Sequence, residues 1–258
     1  MGISRHVPPP EPLRVFTVPA RPSPVARDVG VIIVAAGQST RSGAGELKQF
    51  RWVGGKPMLL HSVQTFLARS DVCAVVCVLP RQYVADPPPW LLQNDLDRLL
   101  LSVGGAERTD SVRNGLEDLV PDAKIVLVHD AARPLVTNET IDRVIAAARA
   151  GHGAVAALPV VDTLKEADAS GRVVRTVDRT SLWRAQTPQG FPRDVIDQAY
   201  QEAHERGITG TDDAALVERL GVPVVVVRGH ERALKVTEPG DFARAELLQQ
   251  LRDGPPEP

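Results

Sequence analysis

Two cations, Arg41 and Lys48, lie in a stretch of small and polar residues that follows a short apolar run. The run, Val29 to Val34, reads Val-Gly-Val-Ile-Ile-Val. Its β-branched residues suit a strand buried on both faces of a parallel sheet. The stretch after it, from Ala35 to Gln49, carries glycines at Gly37, Gly43 and Gly45. A loop of this kind leaving a buried strand brings backbone N–H groups close to a ligand, where they can cradle phosphate oxygens. Arg41 and Lys48 add positive charge where a polyphosphate would lie. The residues therefore read as a loop for a nucleoside triphosphate, against the alternative of a surface loop with solvated cations. It is not a P-loop, because no Gly-Lys-Ser or Gly-Lys-Thr follows the glycines. Nor is it a dinucleotide fingerprint, because Ser39 and Ser42 stand where the second and third glycines belong.

Further groups follow other apolar runs. Gly104-Gly105 precedes a helical pattern that holds Ser111. Asp130 and Arg133 follow the run Ile125 to Val128, and a carboxylate at a strand end beside a triphosphate has Mg²⁺ coordination as its natural role. Asp162-Thr163-Leu164-Lys165 and Lys235-Val236-Thr237 add cations. Taken singly, each has a bland reading as a turn cap or a solvated charge; together they recur at the ends of strands facing one crevice. No G-x-S-x-G elbow is present, and His129 reads as a structural hydrogen-bonding group. Cys73 and Cys77 are four apart on one strand, so they are expected to share a face as reduced core residues. The chemistry expected is direct transfer between two anionic substrates, with cations and a metal neutralising charge.

The elements that must position these groups alternate as strand and helix, which predicts an α/β, doubly wound, mostly parallel sheet. In such sheets ligands bind beyond the carboxyl ends of the strands. Helices are expected from Met58 to Ala68, from about Thr109 to Leu119 with Thr109 or Asp110 as cap, and from Asn138 as cap to Ala150. Others are expected at about Arg193 to Glu205 and Asp212 to Leu220, with a last one from Pro239 to about Leu251. Asp86 to Trp90 reads as a proline-rich turn and Trp183 to Pro192 as irregular. Val160 to Glu166 and Arg172 to Val177 read as a hairpin arm, about 160–177, standing apart from the wound sheet. Residues 1–28, rich in proline and arginine, are expected to be a disordered extension, 29–253 the domain and 254–258 a tail. A net charge of -2 over 258 residues leaves no bulk field to draw nucleic acid. No apolar run is long enough for a membrane span or a signal core, so a cytoplasmic location is expected.

Eight short motifs occur in order: Ala35 to Arg41, Lys48-Gln49, Gly104 to Val112, His129 to Pro134, Asp162 to Lys165, Val177 to Arg179, Thr187 to Gln189 and Lys235 to Thr237. This set resembles the 2-C-methyl-D-erythritol 4-phosphate cytidylyltransferases of the non-mevalonate isoprenoid pathway, over about Val29 to Leu251. The resemblance implies a Rossmann-like nucleotidyltransferase that joins CTP and methylerythritol 4-phosphate, releasing pyrophosphate. By motif it implies Arg41 and Lys48 as catalytic cations and Asp130 as the ligand of Mg²⁺ or another divalent cation. It further implies Ala35, Ala36, Gly37, Ser39, Gly105, Ser111 and Ala131 around CTP. Arg133, Thr163, Arg179 and Lys235 would hold the polyol phosphate, and the arm would form a homodimer. Alternatives are the same chemistry on another polyol phosphate, such as ribitol 5-phosphate, or a nucleotide-binding module without turnover. Two positions depart from the family pattern: Ser39 replaces a usual glycine, and Arg232, beside Glu231, stands where an acidic residue is usual.

Overall fold

The computed structural model of the chain describes residues 26–37 and 47–251. The proline-rich segment up to residue 25, the loop 38–46 with Ser39 and Arg41, and the residues from 252 onward lie outside the described residues.

The sheet strands begin with β1 (Val29–Val34), which leads through the two-residue strands β2 (Trp52–Val53) and β3 (Lys56–Pro57) to helix α1 (Met58–Leu67). Strand β4 (Val72–Leu79) follows, then the short helices α2 (Arg81–Ala85) and α3 (Pro89–Leu92), β5 (Leu99–Val103), α4 (Arg108–Glu117), β6 (Ile125–Asp130), α5 (Asn138–Arg149) and β7 (Gly153–Pro159). The arm is β8 (Leu164–Ala167) and β9 (Val173–Val177). The chain returns as β10 (Trp183–Pro192), α6 (Arg193–Glu205), α7 (Asp213–Arg219), β11 (Val224–Arg228) and α8 (Pro239–Gln250).

Seven strands form one sheet in the order β11-β7-β10-β6-β1-β4-β5. All its pairings are parallel except the two that β10 makes with β6 and β7. The doubly wound α/β reading therefore holds, with one antiparallel strand set into the sheet. Burial of both sheet faces explains the unbroken apolar runs. Val31 and Ile33 of β1 pack with Leu59, Val63 and Phe66 of α1 and Ile141 and Val144 of α5, whereas Ile32 packs on the other face with Val112 of α4 and Ile196 of α6. A third, smaller cluster joins Val53, Met58, Leu135, Val236 and Phe242 and docks α8 against the β2–β3 turn.

Several sequence expectations are corrected. Trp183–Pro192 is not irregular: it is a ten-residue strand, with its register shifted between Ala185 and Gln189. Gln186, Thr187 and Gln189 are buried there and find hydrogen-bonding partners, which offset the desolvation of polar groups in a sheet interior. The two cysteines do not share a face. A register shift between Val29 and Gly30 leaves Cys73 as the extra residue in β4, so Cys77 joins one core layer and Cys73 packs against the other. Both are free thiols, and burial pushes Cys77 up to about 12. Glu107, not Thr109 or Asp110, caps α4, and Asp110 completes the capping box from the third helical position. Thr137, not Asn138, caps α5. The stretch from Asp86 to Trp90 includes the start of α3 rather than a turn alone, and 160–163 precede the arm without joining its strands.

The fold also takes in residues just ahead of Val29. Asp28 O accepts from Lys124 N and Ile125 N, and its carboxylate meets Arg149 at 2.5 Å. Among the described residues no helix is long and apolar enough to cross a membrane.

Candidate active site

The sheet changes winding direction at β1, which has β4 on one side and β6 on the other. Val34 and Asp130 are register partners, so the β1 loop and Asp130 leave the sheet side by side at its carboxyl edge. That is the switch-point crevice where open α/β sheets bind ligands. Ala35 N bonds to Val78 O and Ala131 N to Val34 O, which ties the exits of β1, β4 and β6 together. The buried Gln49 donates from Nε2 to the carbonyls of Ala35 and Gly37, so it draws the chain around Lys48 back onto the loop's first residues.

The loop after β5 packs on the same crevice. A Cβ on Gly104 would lie 2.1 Å from Ala36 Cβ, and one on Gly105 would lie 2.1 Å from Asp110 Cβ. Only glycine permits these approaches. Ser111 is buried; its hydroxyl accepts from Gly105 N at 3.1 Å and donates to Glu107 O at 3.0 Å. The hydroxyl thus fixes the shape of the glycine turn from behind.

Asp130 is the charge centre. Arg108 Nε and Nη2 approach its Oδ1 at 3.3 Å, and Lys235 Nζ donates to Oδ2 at 2.8 Å. Burial alone would push the carboxyl up; Arg108 and then Lys235 outweigh it and hold the group well below the usual carboxylate range. Arg108 has a second carboxylate partner, the fully buried Asp213, at 2.8 and 2.9 Å. Asp213 also accepts from Tyr200 Oη at 2.5 Å. Burial and then Asp213 raise the Tyr200 hydroxyl well above its ordinary value, so it stays a donor.

His129 supports the site from inside the core. Its Nδ1 lies 3.1 Å from Thr187 Oγ1, which accepts from Asp130 N at 3.0 Å, and its Nε2 lies 3.1 Å from Arg133 O. A neutral ring with hydrogen on Nε2 donates to Arg133 O and accepts from Thr187, and burial lowers its pKa to about 4. Arg133 places Nη1 on Ala233 O at 2.7 Å and Nη2 on Ala185 O at 3.3 Å; burial lowers its pKa and Asp130 opposes that shift.

Ala35, Ala36, Gly37, Gly105, Ser111, Asp130, Ala131, Arg133 and Lys235 thus come to one edge of the sheet, and Gln49 brings Lys48 toward it. Thr163 and Arg179 stand apart from the hydrogen bonds of this group. Thr163 is exposed, and Arg179 donates to Val161 O at the base of the arm. Among the described residues, neither meets the Asp130 group by a hydrogen bond or ion pair. Glu231 pairs with Arg184 at 3.1 Å on the exposed surface, and Arg232 donates to Leu248 O. Arg108, Asp213 and Tyr200 are the members that sequence reasoning missed. Arg108 lies inside a quoted motif, but its partner Asp213 is 105 residues away.

Among the described residues no three His, Cys, Asp or Glu side chains cluster to hold a metal by themselves. One ionised carboxylate at the switch-point crevice still fits Mg²⁺, which keeps several waters and takes one or two carboxylates plus substrate phosphates.

Comparison with known proteins agrees with this arrangement. The family model described as IspD, 2-C-methyl-D-erythritol 4-phosphate cytidylyltransferase, matches residues 29–250. The enzyme of that name from Frankia casuarinae is 47% identical over 221 residues, 85% of this chain and 80% of its own. The one from Streptomyces avermitilis is 42% identical over 248 residues, 91% of this chain and 98% of its own. The crystal structure of the Thermus thermophilus enzyme superposes with a TM-score of 0.74 at 36% identity, covering 86% of this chain and 99% of that one. With its crevice, its motifs and nearly all its folded length accounted for, this chain belongs to the 2-C-methyl-D-erythritol 4-phosphate cytidylyltransferase family of nucleotidyltransferases.

Proposed function

We propose that the chain transfers the cytidylyl group of CTP to 2-C-methyl-D-erythritol 4-phosphate. A phosphate oxygen of the polyol attacks the α-phosphorus, the bond from the α-phosphorus to the bridging β-phosphate oxygen breaks, and pyrophosphate leaves. The observation that carries this reading is the convergence of Ala35–Gly37, Gly104–Ser111, Asp130 and Lys235 on one switch-point crevice. Backbone N–H groups of Ala36 and Gly37 serve the triphosphate, while Ala35 and Gly105, whose N–H groups bond to Val78 O and Ser111 Oγ, shape the crevice wall and Ala131 lines the β6 side. Ser39, in the loop, offers a hydroxyl to the same phosphates. Arg41 and Lys48 stabilise charge that develops at the α-phosphorus. Ser111 acts by holding the glycine turn.

Asp130 would hold Mg²⁺ or another divalent cation, whose charge would neutralise and orient the phosphates of CTP. Lys235, half exposed beside Asp130, exchanges that carboxylate for the polyol phosphate, and Arg133 supplies a fixed positive charge nearby. Thr163 and Arg179 complete the polyol site from a second subunit. The arm supports this dimer: Val173 and Val174 on β9 and Val161 just ahead of β8 are each more than 60% exposed, an apolar surface that a partner arm would cover.

Direct attack has its own test. CTP and labelled pyrophosphate, incubated with the enzyme and Mg²⁺ but no polyol phosphate, should not exchange label. Exchange would reveal a cytidylyl-enzyme intermediate and contradict the mechanism.

A further inference from the structure

Arg108 is the first residue of α4 and Asp213 the first residue of α7. A carboxylate is favoured at a helix N-terminus and a guanidinium is not, so Arg108 requires anionic partners. It has two, and they are unequal. Asp213 takes both terminal nitrogens at 2.8 and 2.9 Å in the parallel geometry that suits guanidinium and carboxylate. Asp130 receives only the longer approaches, at 3.3 Å. Asp213 is fully buried, and Tyr200 Oη donates at 2.5 Å to its Oδ1, the oxygen that also accepts from Arg108 Nη1, so the carboxylate is held in place.

This asymmetry matters because Asp130 already has Lys235 on its other oxygen. A guanidinium released from Asp213 would close on Asp130 and compete there with any added cation. We propose that Asp213, backed by Tyr200, is a positioning residue that holds Arg108 at the longer 3.3 Å approach to Asp130 Oδ1 and so leaves that oxygen available to a divalent cation that accompanies the nucleotide. The inference rests on Asp130 being the metal-holding carboxylate. It assigns Asp213 and Tyr200 a role in metal affinity although neither touches the metal. Removing a group that orients a metal ligand characteristically weakens binding by about 10- to 100-fold.

The test uses the full-length protein with Mn²⁺ and saturating CTP and no polyol phosphate, reading the Mn²⁺ dissociation constant by water-proton relaxation. Asp213→Asn should weaken Mn²⁺ binding about tenfold or more. Arg108→Met alone should bind Mn²⁺ at least as tightly as wild type. The double variant Asp213→Asn/Arg108→Met should return to within about threefold of wild type, since the competitor is gone. Unchanged binding by Asp213→Asn, or a double variant as weak as Asp213→Asn, would overturn the restraint. Should Asp213→Asn not fold, Arg108→Met carries the test alone, and weaker Mn²⁺ binding by it rejects the proposal. An Asp130→Asn variant that binds Mn²⁺ normally overturns the metal assignment itself, and the restraint with it.

Discussion

His129 lies wholly inside the core, and it ties the backbone of Asp130, through Thr187, to the backbone of Arg133. Its ring is fully buried and its pKa is lowered from 6.5 to about 4. The unfolded chain therefore takes up a proton as pH falls through 6.5, whereas the folded chain resists until about pH 4. The stability that neutral His129 contributes is complete above that window and falls within it by about 1.4 kcal/mol per pH unit. Urea unfolding from pH 7.5 to 4.5 should show a shallower loss for His129→Gln than for wild type; parallel curves would contradict the assignment. The charged residues make a kinetic prediction. On the role proposed for them, stabilising charge that develops in the transition state, Lys48→Ala and Arg41→Ala should each lower kcat by about 10² to 10³ with CTP binding largely kept. Steady-state kinetics with an unchanged kcat and only a raised KM would show uniform binding instead.

At the scale of elements, the crevice depends on how closely the β1 and β5 exits approach. A Cβ at Gly104 meets Ala36 Cβ at 2.1 Å, so Gly104→Ala must push the two exits apart. Overpacking of this kind costs about 1 to 3 kcal/mol. The variant should melt earlier and bind CTP more weakly by calorimetry, and a wild-type result in both would mean the loops do not share the nucleotide. Much of this layer was legible in the sequence. The runs at Val29–Val34 and Ile125–Val128 read as buried strands, and Gly104-Gly105 read as a close approach, because each local pattern agrees with its final environment. Strand β10 was illegible because Gln186, Thr187, Pro188 and Gln189 carry no β pattern; their polarity is satisfied only by partners such as His129, Asp212 and His230, distant in the chain. The faces of Cys73 and Cys77 failed for a related reason: alternation assumes an unbroken register, and the shift opposite Val29 leaves no mark in the residues. The Arg108–Asp213 pair was hidden because a helix start is read from its own neighbours and not from a carboxylate on another helix.

At the scale of the whole molecule, the arm leaves the carboxyl edge of the sheet between β7 and β10 with its apolar residues exposed and with Thr163 and Arg179 at its base. If the polyol site is shared between subunits, mixing inactive Lys48→Ala with inactive Arg179→Ala and allowing exchange should recover about a quarter of wild-type activity, since half the dimers are mixed and each has one intact site. No recovery despite demonstrated exchange would place Arg179 in its own subunit's site or in none. The substrate itself is the central claim, and pyrophosphate release tests it most directly. The protein with CTP and Mg²⁺ should release pyrophosphate with methylerythritol 4-phosphate far faster than with ribitol 5-phosphate, forming one cytidylylated polyol per pyrophosphate, and Asp130→Asn should abolish the reaction. Release that favours ribitol 5-phosphate, no release with either, or full activity in Asp130→Asn would contradict the account.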